Sequence, residues 1–309
     1  MEIALLLATK ITELTLAVLM GYALVKSKVL SSKDSYPLSV VGLYIISPAV
    51  MINAFQISYT PAILNGLLLS LGMAVVLHAI LITLGKLFKR LFKLDPLEQA
   101  AAIYSNSGNL IIPLVASLFG QEWVIYASCF IVVQTFLFWT HCRILLCGKS
   151  NLSLKMVCKN VNILSIFIGV TLFAFQIKLP GIITGTLSAV GAMIGPNAMI
   201  IAGMLIAAIP LRTIFSSKRI YLVTFLRLIL VPLCLLLLIK LSGVSRWVEN
   251  GETIAMISFL ATTSPAAATV TQMALIFNKN AAKASAIYGV TTLLCVISMP
   301  LIIALYQFI

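Results

Sequence analysis

Two polar interruptions lie within apolar stretches, at corresponding places in the two halves of the chain. The first is Ser105-Asn-Ser-Gly-Asn-Leu-Ile-Ile-Pro113, and the second is Thr262-Thr-Ser-Pro-Ala-Ala-Ala-Thr269. A proline inside a spanning helix removes its own N–H and frees the carbonyl four residues earlier, so each break needs local polar partners. Paired breaks of this kind are typical of transporters whose broken helices hold a substrate near the middle of the bilayer.

The polar groups of the two breaks are suited to binding an anion. Asparagine side chains donate and accept hydrogen bonds, and a half-helix beginning near Pro113 would point free N–H groups and its positive dipole end into the site. A carboxylate is the simplest ligand for that position. Alternatively, these groups only satisfy the broken backbone and pack the helices together; the pairing of the breaks favours binding. The predicted substrate-binding residues are Asn106, Ser107, Gly108, Asn109, Pro113, Thr262, Thr263, Ser264 and Pro265.

Three ionisable residues lie deep within predicted spans. Arg227 is a functional candidate, either as the counter-ion of an anionic substrate or as the partner of a carboxylate side chain. The alternative is that its side chain snorkels to the cytoplasmic interface. Glu13 follows Lys10 by three positions, so the two pair on one helix face; contact with Arg227 or proton carriage is the alternative. Histidine ordinarily titrates near neutral pH, so His78 would couple transport to protons, unless it is a packing residue.

The composition is that of an integral membrane protein. Of 309 residues, 61% are hydrophobic and 9% charged, and the mean hydropathy is +1.12. Hydropathy predicts roughly ten spans of about 20 residues. They lie near 3–25, 36–56, 62–85, 97–118, 122–142, 161–178, 181–208, 220–240, 252–276 and 282–308.

The net charge of +13 reflects topology rather than nucleic-acid binding. Most Lys and Arg residues follow the odd-numbered spans, and the opposite loops carry only Lys178, Lys240 and Arg246. The positive-inside rule makes the odd-to-even loops cytoplasmic and both termini external. The expected location is the plasma (inner) membrane, crossed several times.

Landmarks of the first half recur in the second: Gly21 and Gly169, Pro48 and Pro196, Pro113 and Pro265. These pairs are 148, 148 and 152 residues apart. Because each half contains an odd number of spans, the second half has inverted topology. The predicted fold is therefore all-α, with five-helix repeats at 1–150 and 151–309 joined by the basic linker 143–159, and with broken helices 4 and 9 crossing at mid-depth.

The sequence offers no catalytic constellation, metal site or cofactor site. Except for Glu13, its acidic residues lie in loops or at span ends, and its two histidines are isolated. No phosphate-binding glycine loop is present, which argues against an ATP-driven pump. An enzyme is not expected, and the expected partners are a small organic anion, the lipid bilayer and, as a candidate, a second copy of the chain.

With this topology the whole chain resembles the auxin efflux carrier family, which includes plant PIN-type carriers and bacterial malate permease-like transporters. The similarity rests on the order and spacing of short segments: Gly21-Tyr22, Ser47-Pro48-Ala49, Asn106-Ser-Gly-Asn-Leu-Ile-Ile-Pro-Leu114, Asn160-Val-Asn162, Leu226-Arg-Leu-Ile-Leu-Val-Pro232 and Ser264-Pro265-Ala266.

The resemblance implies a fold shared with bile acid:sodium symporters. Helices 1, 2, 6 and 7 would form a scaffold, and helices 3–5 and 8–10 a moving transport domain around the crossing of helices 4 and 9. It implies carriage of a small organic anion by elevator-type alternating access. A non-transporting membrane sensor or partner-binding protein on the same fold is the alternative. Acidic sodium ligands typical of the bile acid relatives are not evident in the broken segments, which disfavours sodium coupling.

Overall fold

A computed structural model describes residues 2–148, 160–208 and 217–309 of the chain. These residues form helices joined by short loops. Among the described residues, six helices are long and apolar enough to cross a membrane: Ser32–Ala54, Pro61–Phe92, Gln121–Cys147, Gly181–Ala207, Lys218–Ser242 and Ala281–Phe308. In chain order the bounds are α1 Glu2–Lys26, α2 Ser32–Ala54, α3 Pro61–Phe92, α4a Pro96–Ile103, α4b Ser107–Leu118, α5 Gln121–Cys147, α6 Val161–Ala174, α7 Gly181–Ala207, α8 Lys218–Ser242, α9a Gly251–Thr263, α9b Ala268–Ile276 and α10 Ala281–Phe308.

Several helices begin with side chains that accept from free backbone N–H groups. Thr60 Oγ1 accepts from Ile63 N at 3.2 Å at the start of α3, where Pro61 occupies the first helical position. Asp95 and Glu98 form a reciprocal capping box at the start of α4a. Such caps satisfy N–H groups that have no acceptor within the helix. They fix the start of α3 at Pro61 and the start of α4a at Pro96.

Helices α1 and α7 approach each other closely enough for backbone contact. A Cβ added at Gly203 would overlap the carbonyl oxygen of Val18 and lie 2.7 Å from Tyr22 N, and one added at Gly21 would overlap the backbone of Ile200. Small residues permit this distance between helices in a membrane. Helix α2 packs on α6 and α7 in turn. These contacts group α1, α2, α6 and α7, the helices for which a scaffold is predicted.

A buried carboxylate joins the other helices at the end of the bundle where α4a begins. Glu98 is fully buried and accepts from Arg219 Nε at 3.0 Å and Nη2 at 2.6 Å. Lys283 of α10 contacts Glu98 and also Asp95, at 2.7 Å. Arg219 further donates to the carbonyl oxygen of Phe92 at the end of α3. One ionic cluster thus connects α3, α4a, α8 and α10.

The first predicted break is displaced from its proline. Helix α4a ends at Ile103, and Pro113 lies inside α4b, two residues after a π turn at Ser107–Ile111. The expectation that the half-helix begins near Pro113 is therefore wrong. A π turn is wider than an α-helical turn, so the carbonyl oxygen with which the proline ring would clash lies farther from the ring. The helix can therefore continue through the proline. The same arrangement precedes Pro48 and Pro232.

The second predicted break coincides with its proline. Helix α9a ends at Thr263 and α9b begins at Ala268, so Pro265 lies in the interruption. Most of the basic linker, at 149–159, lies outside the described residues, as does the predicted boundary between the repeats at residue 150. Residues 209–216 of the loop before α8 also lie outside them.

The contact between α1 and α7 makes a prediction about stability. We expect Gly203→Ala to lower the free energy of unfolding by about 1–3 kcal/mol, because the new methyl group must push the helices apart. Thermal unfolding of the purified protein in detergent measures the effect. The matched control is Gly72→Ala on α3, where an added Cβ meets no atom within 4 Å. Equal stability of Gly203→Ala and wild type would contradict the backbone contact.

Candidate functional site

The two interruptions contact each other through their backbones. Ser105 and Ala266 form an isolated antiparallel bridge. Asn106 N donates to the carbonyl oxygen of Pro265 at 2.8 Å, and Ala267 N donates to that of Tyr104 at 3.0 Å. We call residues 104–106 and 264–267 the crossing. Because each segment supplies hydrogen bonds that the other lost on leaving its helix, two breaks in one place are stable where a single break would not be.

Arg227 of α8 binds the ends of both half-helices that lead into the crossing. Its Nε donates to the carbonyl oxygen of Ser264 at 3.0 Å, and its Nη2 to that of Thr262 at 2.7 Å. Its Nη1 donates to the carbonyl oxygens of Ala102 at 3.4 Å and Ile103 at 3.2 Å. The side chain is 0% exposed, so snorkelling is excluded. The guanidinium neutralises the negative ends of α4a and α9a.

The hydroxyl groups of the second interruption satisfy their own helix. Thr262, Thr263 and Ser264 donate to carbonyl oxygens three residues earlier, at 2.6, 2.9 and 3.2 Å. All three side chains are buried. They provide partners for carbonyls at the end of α9a that lack an intrahelical donor. For these residues the geometry favours the alternative expectation, that they satisfy the broken backbone.

Gln134 of α5 has a role that the sequence analysis missed. Its Oε1 accepts from Ser105 N at 3.1 Å and from Ser105 Oγ at 2.8 Å. Its Nε2 donates to the carbonyl oxygen of Ser105 at 2.8 Å and to Ser107 Oγ at 2.9 Å. The carboxamide therefore pairs with Ser105 as a neighbouring backbone would. A buried glutamine in an apolar span was the available signal.

Thr291 of α10 serves the second interruption in a similar way. Its Oγ1 accepts from Ala266 N at 3.2 Å and lies 2.8 Å from the carbonyl oxygen of Ile287. Each interruption thus has a polar side chain from the helix that follows it, Gln134 from α5 and Thr291 from α10. The crossing is held on several sides, and its backbone geometry is fixed before any ligand binds.

The half-helices that leave the crossing keep unused donors. The first N–H groups of α4b, at Ser107, Gly108 and Asn109, have no acceptor among the described residues. Asn106 Nδ2 is buried without a partner, and Asn106 Oδ1 accepts from Asn109 Nδ2 at 3.2 Å. An added Cβ at Gly108 meets no atom within 4 Å, so there is free space beside this turn. Donors without acceptors, next to free space, suit a negatively charged ligand.

The predicted residues do not all meet. Asn106 and Pro265 touch directly, and Ser107, Gly108 and Asn109 follow at once in α4b. Pro113 lies about one turn further along α4b. There it lines a cavity of about 300 Å³ between α2, α4b and α7, together with Asn53, Ser117 and Ser188. This cavity lies between the two groups of helices, beside the C-terminal half of α4b.

Neither Glu13 nor His78 belongs to the crossing. Glu13 is 56% exposed and accepts from Lys10 Nζ at 3.0 Å, which confirms the local pair and excludes contact with Arg227. His78 is buried in α3, with Nδ1 2.7 Å from the carbonyl oxygen of Ala74 and its ring 4.3 Å from that of Phe130. These contacts are those of a packing residue, and coupling through His78 stays a prediction. Within the described parts of the chain, no group of three His, Cys, Asp or Glu side chains could hold a metal ion.

The hydrogen bonds of Gln134 predict that replacing its carboxamide destabilises the folded protein. We expect Gln134→Leu to lower the free energy of unfolding by about 1–3 kcal/mol, because the buried N–H of Ser105 loses its acceptor. Gln99→Leu is the matched control, since Gln99 is also buried but its Oε1 has no partner. Thermal unfolding of both variants decides the matter. If they lose stability equally, the carboxamide of Gln134 does not hold the crossing.

Comparison with known proteins identifies the family to which the chain belongs. A family model described as a membrane transport protein matches residues 6–156 and 150–303, nearly the whole chain. No curated protein matches the chain significantly. The family consists of transporters and not of enzymes, and it is the auxin efflux carrier family that the short segments resemble. The chain therefore belongs to the membrane transport proteins of the auxin efflux carrier family.

Proposed function

We propose that this transporter carries a small organic anion, most simply a carboxylate, as a secondary transporter. The main observation is that the C-terminal ends of the half-helices at the crossing have a bound cation, whereas N-terminal donors there have no partner among the described residues. The C-terminal ends of α4a and α9a are bound by Arg227, whereas the first N–H groups of α4b are unused donors. The field that remains is positive, and a negative ligand is attracted to it.

The balance of charge favours a ligand with one negative charge. Each helix end carries about half an elementary charge, so the two C-terminal ends together contribute about −1 and the guanidinium offsets them. The two N-terminal ends then leave about +1. The described part of the chain places no carboxylate in an ion pair with Arg227. A monovalent anion would neutralise the remaining positive charge, whereas a metal cation would add to it.

The ligand's direct contacts come from the start of α4b. Asn106 Nδ2 and the N–H groups of Ser107, Gly108 and Asn109 are the unused donors nearest to one another. Asn109 contributes a second carboxamide, which is partly exposed. Thr262, Thr263 and Ser264 stabilise the end of α9a, and the carbonyl oxygen of Pro265 accepts from Asn106 N. In this assignment Arg227 acts through its charge and not by touching the anion.

The cavity beside α4b provides a route toward this position. It lies between α4b on one side and α2 and α7 on the other, so its two walls belong to the two groups of helices. A volume of about 300 Å³ is at the lower end of the range for small-molecule sites. Sliding of the crossing and its attached helices past α2 and α7 would close this route and open another. We therefore favour elevator-type alternating access.

The proposal includes the inverted repeat and the orientation. The two interruptions, and the side chains of Gln134 and Thr291 that serve them, occupy equivalent places in the two halves. These equivalences support five-helix halves of opposite topology. The distribution of Lys and Arg supports external termini and insertion in the plasma membrane. Proton coupling through His78 and a homodimer are further parts of the hypothesis.

Substrate flux tests the assignment. We expect Asn106→Ala and Asn109→Ala each to reduce carboxylate flux into proteoliposomes roughly 10-fold or more, since a hydrogen bond to a charged group contributes about 1.5–3 kcal/mol. A panel of small mono- and dicarboxylates identifies the transported anion. The matched control is Asn65→Ala, at an exposed position of α3 outside the crossing.

Three outcomes separate the possibilities. Loss of flux in both crossing variants, with normal thermal stability and an unaffected Asn65→Ala, supports the site. Unchanged flux of every transported anion in both variants contradicts it. Carboxylate binding without flux in the wild type would instead identify a non-transporting sensor on this fold.

A further inference from the structure

The guanidinium of Arg227 occupies a position that usually suits a free cation. In transporters built from broken helices, half-helix C-terminal ends and unwound carbonyls commonly coordinate a coupling ion. Here four such carbonyl oxygens, from Ala102, Ile103, Thr262 and Ser264, accept from one side chain. We propose that Arg227 is a tethered cation, which permanently replaces a dissociable metal ion at the crossing. The inference that transport needs no such ion rests on the proposed function, whereas the role of the charge does not.

The shape of the guanidinium explains how one side chain serves two helices. Its Nε and Nη2 donate to the α9a side, at 3.0 and 2.7 Å, and its Nη1 donates to the α4a side. The planar fork of arginine presents donors in fixed and divergent directions, whereas a lysine ammonium is a single point charge. Arginine can therefore bridge both helix ends at once.

No other charge accounts for the burial of Arg227. The described ion pairs all involve other residues, and the side chain is fully enclosed. Buried charges are normally paired or bound to a metal or its ligands. The two helix ends supply the equivalent of a counter-charge. The carbonyl set and the guanidinium therefore form one neutral unit, which leaves a metal ion neither free carbonyl ligands from this set nor a net negative charge to bind.

The local structure of α8 presents Arg227 to the crossing. The residue lies in a π turn, Leu226–Leu230, which is followed by Pro232. π turns inside helices frequently occur at functional sites, where the extra residue alters the direction of side chains. The proline requires the wider turn, because it supplies no N–H and its ring needs space. Pro232 thus helps to keep Arg227 in place.

Removal of the side chain should create a site for a free cation. We expect wild-type protein without substrate to unfold at the same temperature in sodium, potassium and choline chloride at equal ionic strength. Arg227→Ala should lower the Tm in choline by roughly 10 °C, since leaving a buried charged network incomplete is strongly destabilising. Low concentrations of guanidinium or sodium should then restore several degrees, because an ion that binds only the folded state raises its stability.

A neighbouring residue provides the control. Leu228→Ala removes a buried side chain from the same π turn but leaves the carbonyl oxygens bound to Arg227. It should lower the Tm without any preference among the salts. If the Tm of Arg227→Ala equals that of wild type, or responds to the salts only as Leu228→Ala does, the tethered-cation role is wrong.

A second pair of variants decides the matter if Arg227→Ala does not fold in any salt. Arg227→Lys keeps the charge, and Arg227→Gln keeps donors without the charge. We expect the lysine variant to be the more stable in choline, and sodium to narrow the gap between them. Equal Tm values in choline would show that charge is not required.

Flux experiments separate this inference from the proposed function. Wild-type flux of the transported anion should not change when choline replaces sodium and potassium on both sides of the membrane. Flux that requires either metal ion overturns the inference. Absence of all flux would refute the proposed function, and the Tm measurements would still decide the role of Arg227.

Discussion

A backbone that leaves its helix in an apolar environment must find a partner for each N–H and carbonyl group, and the structure around the crossing follows from this requirement. The two segments solve part of it by pairing with each other, through Asn106 with Pro265 and Ala267 with Tyr104. Pairing requires both breaks at the same depth. It therefore fixes α4a, α4b, α9a and α9b relative to one another.

Side chains from three other helices supply the remaining partners. Gln134 of α5 pairs with Ser105, Thr291 of α10 accepts from Ala266, and Arg227 of α8 binds four carbonyl oxygens. Each of these helices is consequently bound to the crossing. The ionic cluster around Glu98 binds α3, α4a, α8 and α10 again near the end of the bundle. Helices α4a, α8 and α10 are therefore joined at two levels, at the crossing and at this cluster.

The sequence predicted the existence of the breaks better than their chemistry. Polar clusters within apolar stretches correctly indicated two interruptions, and Pro265 lies within one of them. The first break was misplaced because a π turn accommodates Pro113, and such a turn has no clear sequence signal. Gln134 was missed, since its partner is 29 residues away and only tertiary structure brings them together. Arg227 was singled out by its charge, but its carbonyl partners could not be inferred from composition or spacing.

The partners of Arg227 also constrain the order in which the protein can be completed. The carbonyl oxygens of α4a precede Arg227 in the chain, whereas Ser264 follows it by 37 residues. During synthesis at about 5–20 residues per second, α9a is therefore made roughly 2–7 s after the arginine. Throughout this interval the arginine lacks its Ser264 and Thr262 acceptors, so α8 cannot settle at its final depth with all its bonds formed. Assembly of the membrane-embedded core must wait for the ninth helix, which makes biogenesis of the two halves interdependent.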